Sequence, residues 1–180
     1  MRSRELELVS IQSGGSRSNR YRRNEGVDSI EYHKIYLDCC CFNRPFDDIS
    51  QEKIRHECEA ILTIVSNCEL GVWDVFRSDV LDDEIDRIVN PIKKLKVLKL
   101  YSSATIGVEI NNEIIARAKK FQQTVNLKSF DALHLAGAEY GKADILLTTD
   151  NKFISRAKAS DSKIRVANPA IWMTEVLFND

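Results

Sequence analysis

The chain has 180 residues, of which 43% are hydrophobic, and carries a formal net charge of −1. These values are typical of one globular domain with an added segment. The near-neutral charge does not by itself indicate a nucleic-acid binder, although a local basic patch would suffice for one. The chain has no apolar run of the about 18 residues that a membrane helix needs, and no secretory signal at its start. We therefore expect a cytoplasmic protein with no membrane partner.

Residues 1–33 are rich in Ser, Gly, Arg and Asn and contain few apolar residues. Such a segment buries little surface, so we predict a flexible N-terminal tail. The remaining residues, 34–178, contain no internal repeat and no composition break, and we predict one domain there.

Strands and helices alternate along this domain. Strands are predicted at residues 35–37, 70–75, 105–107, 145–148 and 164–166. Helices are predicted at residues 50–67, 78–88, 92–101, 109–125, 129–140, 153–159 and 171–178, with a loop at 43–48. This alternation favours an α/β fold, a three-layer α/β/α sandwich around a mainly parallel central sheet.

Four acids stand where the chemistry of such a sheet collects, beyond the carboxyl ends of its strands. Asp38 and Asp150 each follow a predicted strand, Asp131 lies in the first turn of a helix, and Glu84 lies within another helix. Four converging carboxylates would repel one another in a low-dielectric pocket unless a cation neutralised them. An all-oxygen ligand set suits Mg²⁺ or Mn²⁺, which can activate a water toward a phosphate.

Each acid also has a structural explanation. Asp131 suits the positive end of a helix dipole, Asp150 can cap the following helix, and Glu84 can be a solvated helix residue. Only the order of the four acids along the predicted elements favours a shared site. His134, three residues after Asp131, is predicted either to contact a ligand or the substrate, or to be a buried structural histidine.

The chain has five cysteines, three of them consecutive at 39–41. Adjacent cysteines make a poor disulfide framework, so we expect reduced thiols. No second pair of Cys or His stands at zinc-ligand spacing, which favours thiols packed under a strand end over a zinc site.

Together these segments resemble the PIN domain, a metal-dependent ribonuclease fold found in the toxins of many toxin–antitoxin pairs. The resemblance covers residues 34–178. It is carried by Ile35-Tyr36-Leu37-Asp38 with Asn43, Ser78 to Glu84, Phe130 to Ala136, Leu146 to Phe153, and Val166-Ala167-Asn168-Pro169. One departure is Cys39, where the family usually has Thr or Ser after the first acid. A thiol is a weaker hydrogen-bond partner than a hydroxyl, which bears on the tuning of the site.

The resemblance implies an Mg²⁺- or Mn²⁺-dependent endoribonuclease that hydrolyses single-stranded RNA, with an antitoxin protein and a homodimer as partners. It implies a metal-binding and catalytic role for Asp38, Glu84, Asp131 and Asp150. It also implies that Thr148 holds a carboxylate or water and that Asn43 lies near the pocket mouth.

Two other classes of function remain open. One is a catalytically inactive PIN-fold protein that binds nucleic acid or acts as a scaffold. The other is a phosphatase of the haloacid dehalogenase type, which ranks low because its second aspartate, two residues after the first, would fall at Cys40.

Overall fold

A computed structural model of the chain describes residues 33–178. Within this range, five strands form one sheet in the order β3-β2-β1-β4-β5, and every pairing is parallel. The strands are β1 (Lys34–Leu37), β2 (Asp74–Ser78), β3 (Ile106–Val108), β4 (Ile145–Leu147) and β5 (Arg165–Ala167). The predicted parallel sheet is confirmed.

Helices connect and cover the strands. They are α1 (Cys39–Asn43), α2 (Glu52–Glu69), α3 (Asp79–Asp86), α4 (Pro91–Tyr101), α5 (Asn112–Val125), α6 (Ser129–Tyr140), α7 (Asn151–Lys158) and α8 (Pro169–Phe178). Parallel strands need crossover connections, and helical crossovers place helices on the faces of the sheet. The fold is the predicted three-layer α/β/α sandwich.

The centre of the core is β1, which has a neighbouring strand on each side. Ile35, Tyr36 and Leu37 are all completely buried, as are Leu146 and Leu147 of the adjacent β4. A strand covered on both faces has no polar side to alternate with, which explains these unbroken apolar runs.

The strand order places a topological switch point between β1 and β4. From β1 the chain moves outward through β2 to β3, and then returns to pair β4 with the other edge of β1. The connections on the two sides leave in opposite directions, so a crevice opens at the carboxyl ends of these two strands. Asp38 follows β1 directly and Asp150 follows β4, so both stand at this crevice.

The second strand differs from the prediction of residues 70–75. The structure places β2 at Asp74–Ser78, and the apolar run before it forms the turn that leaves α2. Leu70 ends that helix and is 69% exposed, and Gly71 adopts a positive φ of 73°. Burial of Trp73 in a turn, rather than in a strand, explains the misleading apolar pattern.

The segment after β1 is more helical than predicted. Residues of the predicted loop form the end of α1 and a short 3-10 turn, Arg44–Phe46. The next helix was predicted to begin at residue 50, but its N-cap is Gln51, and the backbone N–H of Ser50 donates to Asp48 Oδ1 at 3.0 Å. The connection from Asp38 to α2 is therefore largely helical instead of a loop.

Apart from His33, the predicted tail at residues 1–33 lies outside the described residues. No helix within 33–178 combines the length and apolar character needed to cross a bilayer. All five cysteines fall within this range and are free thiols, as predicted.

Candidate active site

Asp38 is the acid at the end of the central strand, and it is almost completely buried. Its backbone N–H pairs with Leu147 O of β4, which fixes where its side chain starts. Thr148 Oγ1 donates to Asp38 Oδ2 at 2.7 Å, and the Cys40 thiol donates to the same oxygen at 3.0 Å. Two donors therefore hold one carboxylate oxygen of Asp38 and orient the other.

The other oxygen of Asp38 faces His134, a histidine of α6 that is only 1% exposed. His134 Nε2 lies 3.5 Å from Asp38 Oδ1 and 2.6 Å from Glu84 Oε2. The carboxylate oxygens of Asp38 and Glu84 and a ring nitrogen of His134 all lie within 4.8 Å of one another. Asp38, directly after β1, thus meets one residue of α3 and one of α6 at the crevice, and the spacing of the three groups suits a bound cation.

A buried chain of hydrogen bonds supports His134 from behind. Its Nδ1 lies 3.0 Å from the Tyr36 hydroxyl, which lies 2.7 Å from Ser78 Oγ. Ser78 also caps α3, because its Oγ accepts the Leu81 N–H at 3.2 Å. The cap that starts the helix of Glu84 is therefore connected to the imidazole that contacts Glu84.

Opposing effects act on the pKa of His134. Burial favours the neutral ring, but the hydrogen bond to Glu84 and the charges of Asp38, Glu84 and Asp131 outweigh it and raise the pKa. The surrounding negative charge therefore favours the protonated form of the imidazole.

Asp131 lies in the first turn of α6, as predicted, and shares the electrostatic field of the other acids. Desolvation raises its pKa to about 6, and the charges of Asp38 and Asp150 add to this effect while Lys128 opposes it. A carboxyl whose pKa rises beside other carboxylates is one whose ionisation they oppose. Asp38 and Asp150 therefore both oppose the ionisation of Asp131, in addition to its burial.

Asp150 also serves as the N-cap of α7. Its Oδ1 accepts the backbone N–H of Lys152 at 2.7 Å and that of Phe153 at 3.3 Å. The predicted structural role for this acid is therefore real, and it fixes the carboxylate at the crevice.

The side chain of Asn43 makes its hydrogen bonds within α1. Its side-chain amide donates to the Cys39 carbonyl at 2.9 Å and lies 3.4 Å from Cys39 Sγ. Cys39 is buried and turned toward this amide, and none of the hydrogen bonds described joins its thiol to the acids.

Cys40, rather than Cys39, is the thiol at the acids, and the sequence analysis did not single it out. Besides Asp38, it lies 3.2 Å from Thr148 Oγ1, and its sulfur accepts the Thr149 N–H at 3.3 Å. The helix α1 begins at Cys39, with Asp38 at its N-cap position. The Asp38 side chain accepts no backbone cap hydrogen bond there and accepts the thiol hydrogen of Cys40 instead.

Tyr36 was also not singled out, because an aromatic residue in a buried strand is normally explained by packing. Only its hydroxyl contacts, described above, reveal a link to the site, and no spacing along the chain predicts them.

A second polar network borders the crevice around Arg44. Its guanidinium donates to Thr149 Oγ1 at 2.7 Å and to Asp47 Oδ2 at 2.9 Å. Its Nε lies 2.9 Å from Glu57 Oε2 of α2, an ion pair in which the N–H is not aligned for a hydrogen bond. Glu57 is 1% exposed, and its other oxygen accepts from Asn168 Nδ2 at 2.6 Å. This network ties the segments after β1, β4 and β5 to α2.

A cleft of about 840 Å³ lies on the other side of this network, between α2, α7, β5 and α8. Glu57 and Asn168 belong to its wall, whereas Asp38, Glu84 and Asp131 do not. The cleft is therefore separate from the acids.

Comparison with known proteins places these features in a family. The model of the PIN domain matches residues 35–159. No curated protein matches the chain.

Two solved structures are similar to this chain. VapBC2 from Rickettsia felis, bound to a DNA fragment from their promoter, has 12% sequence identity and a TM-score of 0.49, covering 75% of this chain and 98% of that chain. PAE2754 from Pyrobaculum aerophilum has 12% identity and a TM-score of 0.48, covering 85% of this chain and 93% of that chain.

Proposed function

The chain belongs to the PIN domain family, and from that premise we propose that it is a nuclease that uses a divalent cation to hydrolyse phosphodiester bonds in single-stranded RNA. The observation that carries this proposal is the meeting of Asp38, Glu84 and His134, with ligand atoms within 4.8 Å, at the switch point of the sheet. Open parallel sheets bind their ligands at this place.

The donor set fits a hard divalent cation. Carboxylate oxygens are the ligands that Mg²⁺ and Mn²⁺ prefer, and burial together with the charges of Asp38 and Asp150 raises the pKa of Asp131. We assign Asp38, Glu84, Asp131 and Asp150 as the residues that hold Mg²⁺ or Mn²⁺. When bound, a divalent cation polarises a phosphate oxygen and makes a water a better nucleophile.

Hydrogen bonds from neighbouring residues fix the orientations of these carboxylates. Thr148 and Cys40 bind Asp38 Oδ2, so the carboxylate cannot rotate freely. His134 contacts Glu84 at 2.6 Å, and the N-cap bonds of Asp150 fix its orientation. Such preorganisation lowers the cost of arranging the site around a substrate phosphate.

An aromatic and a basic side chain are close to two of the acids along the chain. Arg87, the C-cap of α3 and three residues after Glu84, lies over the ring of Phe130, which precedes Asp131 on α6, at 5.1 Å from its centroid. Unpaired bases stack on aromatic rings and guanidinium planes, and this favours a single-stranded substrate. The choice of RNA over DNA rests on the family resemblance.

Cleavage of a labelled single-stranded RNA in Mg²⁺ or Mn²⁺ tests the proposal, with single-stranded DNA and double-stranded RNA in parallel. Asp38→Asn and Asp131→Asn should each lower the rate by more than about 100-fold, since changing even a residue that only orients a ligand costs up to that much. Asp86→Asn is the matched control, because this α3 carboxylate is 76% exposed and paired with Lys94. Its rate should equal that of the wild type.

A nucleic-acid-binding or scaffold protein without activity is the second candidate. It predicts that the wild type binds RNA but cleaves none of the three substrates with either metal. Equal cleavage by the wild type and Asp38→Asn would likewise contradict the catalytic proposal, since it would indicate a contaminating nuclease.

The family resemblance also supports a toxin role, with an antitoxin protein and a second copy of this chain as partners. Growth arrest on expression, relieved by the Asp38→Asn substitution, would support the toxin role, and harmless expression of an active enzyme would contradict it. Light scattering of the purified protein would measure whether it is a dimer.

A further inference from the structure

We propose that His134 Nε2 is itself a ligand of the cation, so that the centre combines nitrogen and oxygen donors and selects Mn²⁺ over Mg²⁺. This inference rests on the proposed metal-dependent function and goes beyond its four acidic ligands. Imidazole nitrogen suits first-row transition ions, whereas Mg²⁺ is bound almost entirely by oxygen.

The position of Nε2 suits coordination. It lies 2.6 Å from Glu84 Oε2 and 3.5 Å from Asp38 Oδ1. Ligands that bind one ion at about 2.1 Å lie roughly 3 to 3.5 Å apart. The Asp38 separation already meets this spacing, and Glu84 needs to move outward by only about half an ångström.

The Tyr36 hydroxyl supplies the support that a coordinating histidine requires. A metal-bound histidine carries its proton on the other ring nitrogen and donates it to a fixed acceptor. Nδ1 lies 3.0 Å from the Tyr36 oxygen, so this acceptor is in place inside the core. Tyr36 in turn can donate to Ser78 Oγ at 2.7 Å, which leaves each of these polar groups with a partner.

Without a cation, the donors and acceptors in this chain of hydrogen bonds exchange roles. Ser78 O–H then donates to Tyr36, Tyr36 O–H donates to Nδ1, and Nε2–H donates to Glu84. The two arrangements contain the same number of protons and differ only in the tautomer of His134. Tyr36 and Ser78 are therefore positioning residues that accommodate either tautomer.

A purely positioning role for His134 makes a different prediction. If the imidazole only donates to Glu84, the cation is coordinated by oxygen ligands alone. Substitutions at His134 then lower the affinities for Mn²⁺ and Mg²⁺ by the same factor.

Pulsed electron paramagnetic resonance of the full-length protein loaded with Mn²⁺ separates the two roles. Direct ligation by His134 should produce a nitrogen hyperfine coupling in the wild type that disappears in His134→Gln, whose amide can still donate to Glu84. His33→Gln is the matched control, since His33 stands before β1 and packs against Trp73 and Trp172. Its spectrum should keep the coupling.

Calorimetric titration gives a second readout that does not depend on activity. His134→Gln should lower the ratio of Mn²⁺ to Mg²⁺ affinity by at least about tenfold, and Tyr36→Phe should lower Mn²⁺ affinity by about tenfold through the lost acceptor. Circular dichroism checks that each variant folds, and the wild-type spectrum and Tyr36→Phe remain informative if His134→Gln does not.

Mn²⁺ binding without nitrogen coupling in the wild type would overturn the inference but leave the proposed nuclease function intact. An unchanged affinity ratio in folded His134→Gln would do the same. Failure of the wild type to bind either ion would overturn both the inference and the metal-dependent function.

Discussion

The thiol of Cys40 donates a hydrogen bond to Asp38 Oδ2 at 3.0 Å, so a cysteine side chain contacts the acid at the end of the central strand. Cys40 is partly exposed, whereas its neighbours Cys39 and Cys41 are buried. Alkylation of this sulfur would add bulk against Asp38 and Thr148.

We therefore expect iodoacetamide to abolish divalent-metal binding and RNA cleavage by the wild type. Cys40→Ser should keep both, because a hydroxyl donates at least as well as a thiol, and should resist the reagent. Mass spectrometry alongside the cleavage assay checks this. Cys58→Ser is the control, since Cys58 is also partly exposed but lies on α2, and this variant should remain sensitive.

Asp131 should make the metal-free protein less stable at neutral pH. Its pKa is raised from 3.8 to about 6, so between these values the folded chain binds more protons than the unfolded chain. The free energy of unfolding therefore falls as the pH rises through this window, and the loss is complete above it.

Asp131→Asn should stabilise the metal-free protein at pH 7 by about 1 kcal/mol, a value discounted for solvent screening of this half-buried group. Below about pH 4 the difference should disappear, because the carboxyl is then protonated in both states. Urea unfolding at the two pH values measures this, with Asp86→Asn as the control. Saturating Mn²⁺ should stabilise the wild type more than Asp131→Asn.

The pair of partly buried Arg44 and fully buried Glu57 should matter more than an exposed pair. Arg44→Met leaves the buried Glu57 charge with only the exposed Lys53, whose Nζ lies 3.7 Å from it, and should lower the free energy of unfolding by about 3 kcal/mol. Lys120→Met breaks a pair with Asp161 in which both side chains are more than half exposed, and should cost less than about 1 kcal/mol.

Chemical denaturation of both variants compares the two pairs. The double variant Arg44→Met, Glu57→Met should recover much of the lost stability, because it removes both charges. Equal losses for Arg44→Met and Lys120→Met would contradict the assigned burial.

Gly141 should tolerate no side chain, for a reason of packing. It is the C-cap of α6, directly after the predicted helix 129–140, with a φ of −70°, which any residue adopts. A Cβ atom there would lie 2.7 Å from Phe76 Cε1 and 2.9 Å from Val108 Cγ2. Gly141→Ala should therefore lower the free energy of unfolding by roughly 1 to 3 kcal/mol.

Gly107→Ala is the matched control, because a Cβ at Gly107 of β3 would meet no atom within 4 Å. Thermal melting of the two variants should show a lower melting temperature for Gly141→Ala alone.

Sequence patterns predicted the elements best where burial and periodicity agree. The central strands β1 and β4 are unbroken apolar runs. The start of α3 lies at Ser78, a residue type that favours the N-cap position. The second strand was misplaced because hydrophobicity does not distinguish Trp73, buried in a turn, from a residue buried in a strand.

The sequence alone determined the family, the parallel α/β/α fold and the placement of Asp38 and Asp150 each after a strand, because local patterns set strands and helices. That these two strands are neighbours came from the tertiary structure. Only the tertiary structure decided which side chains meet across 50 to 110 residues of chain, such as His134 with Glu84 and Thr148 with Asp38. These contacts depend on side-chain directions and on register between elements, and no spacing along the chain encodes either.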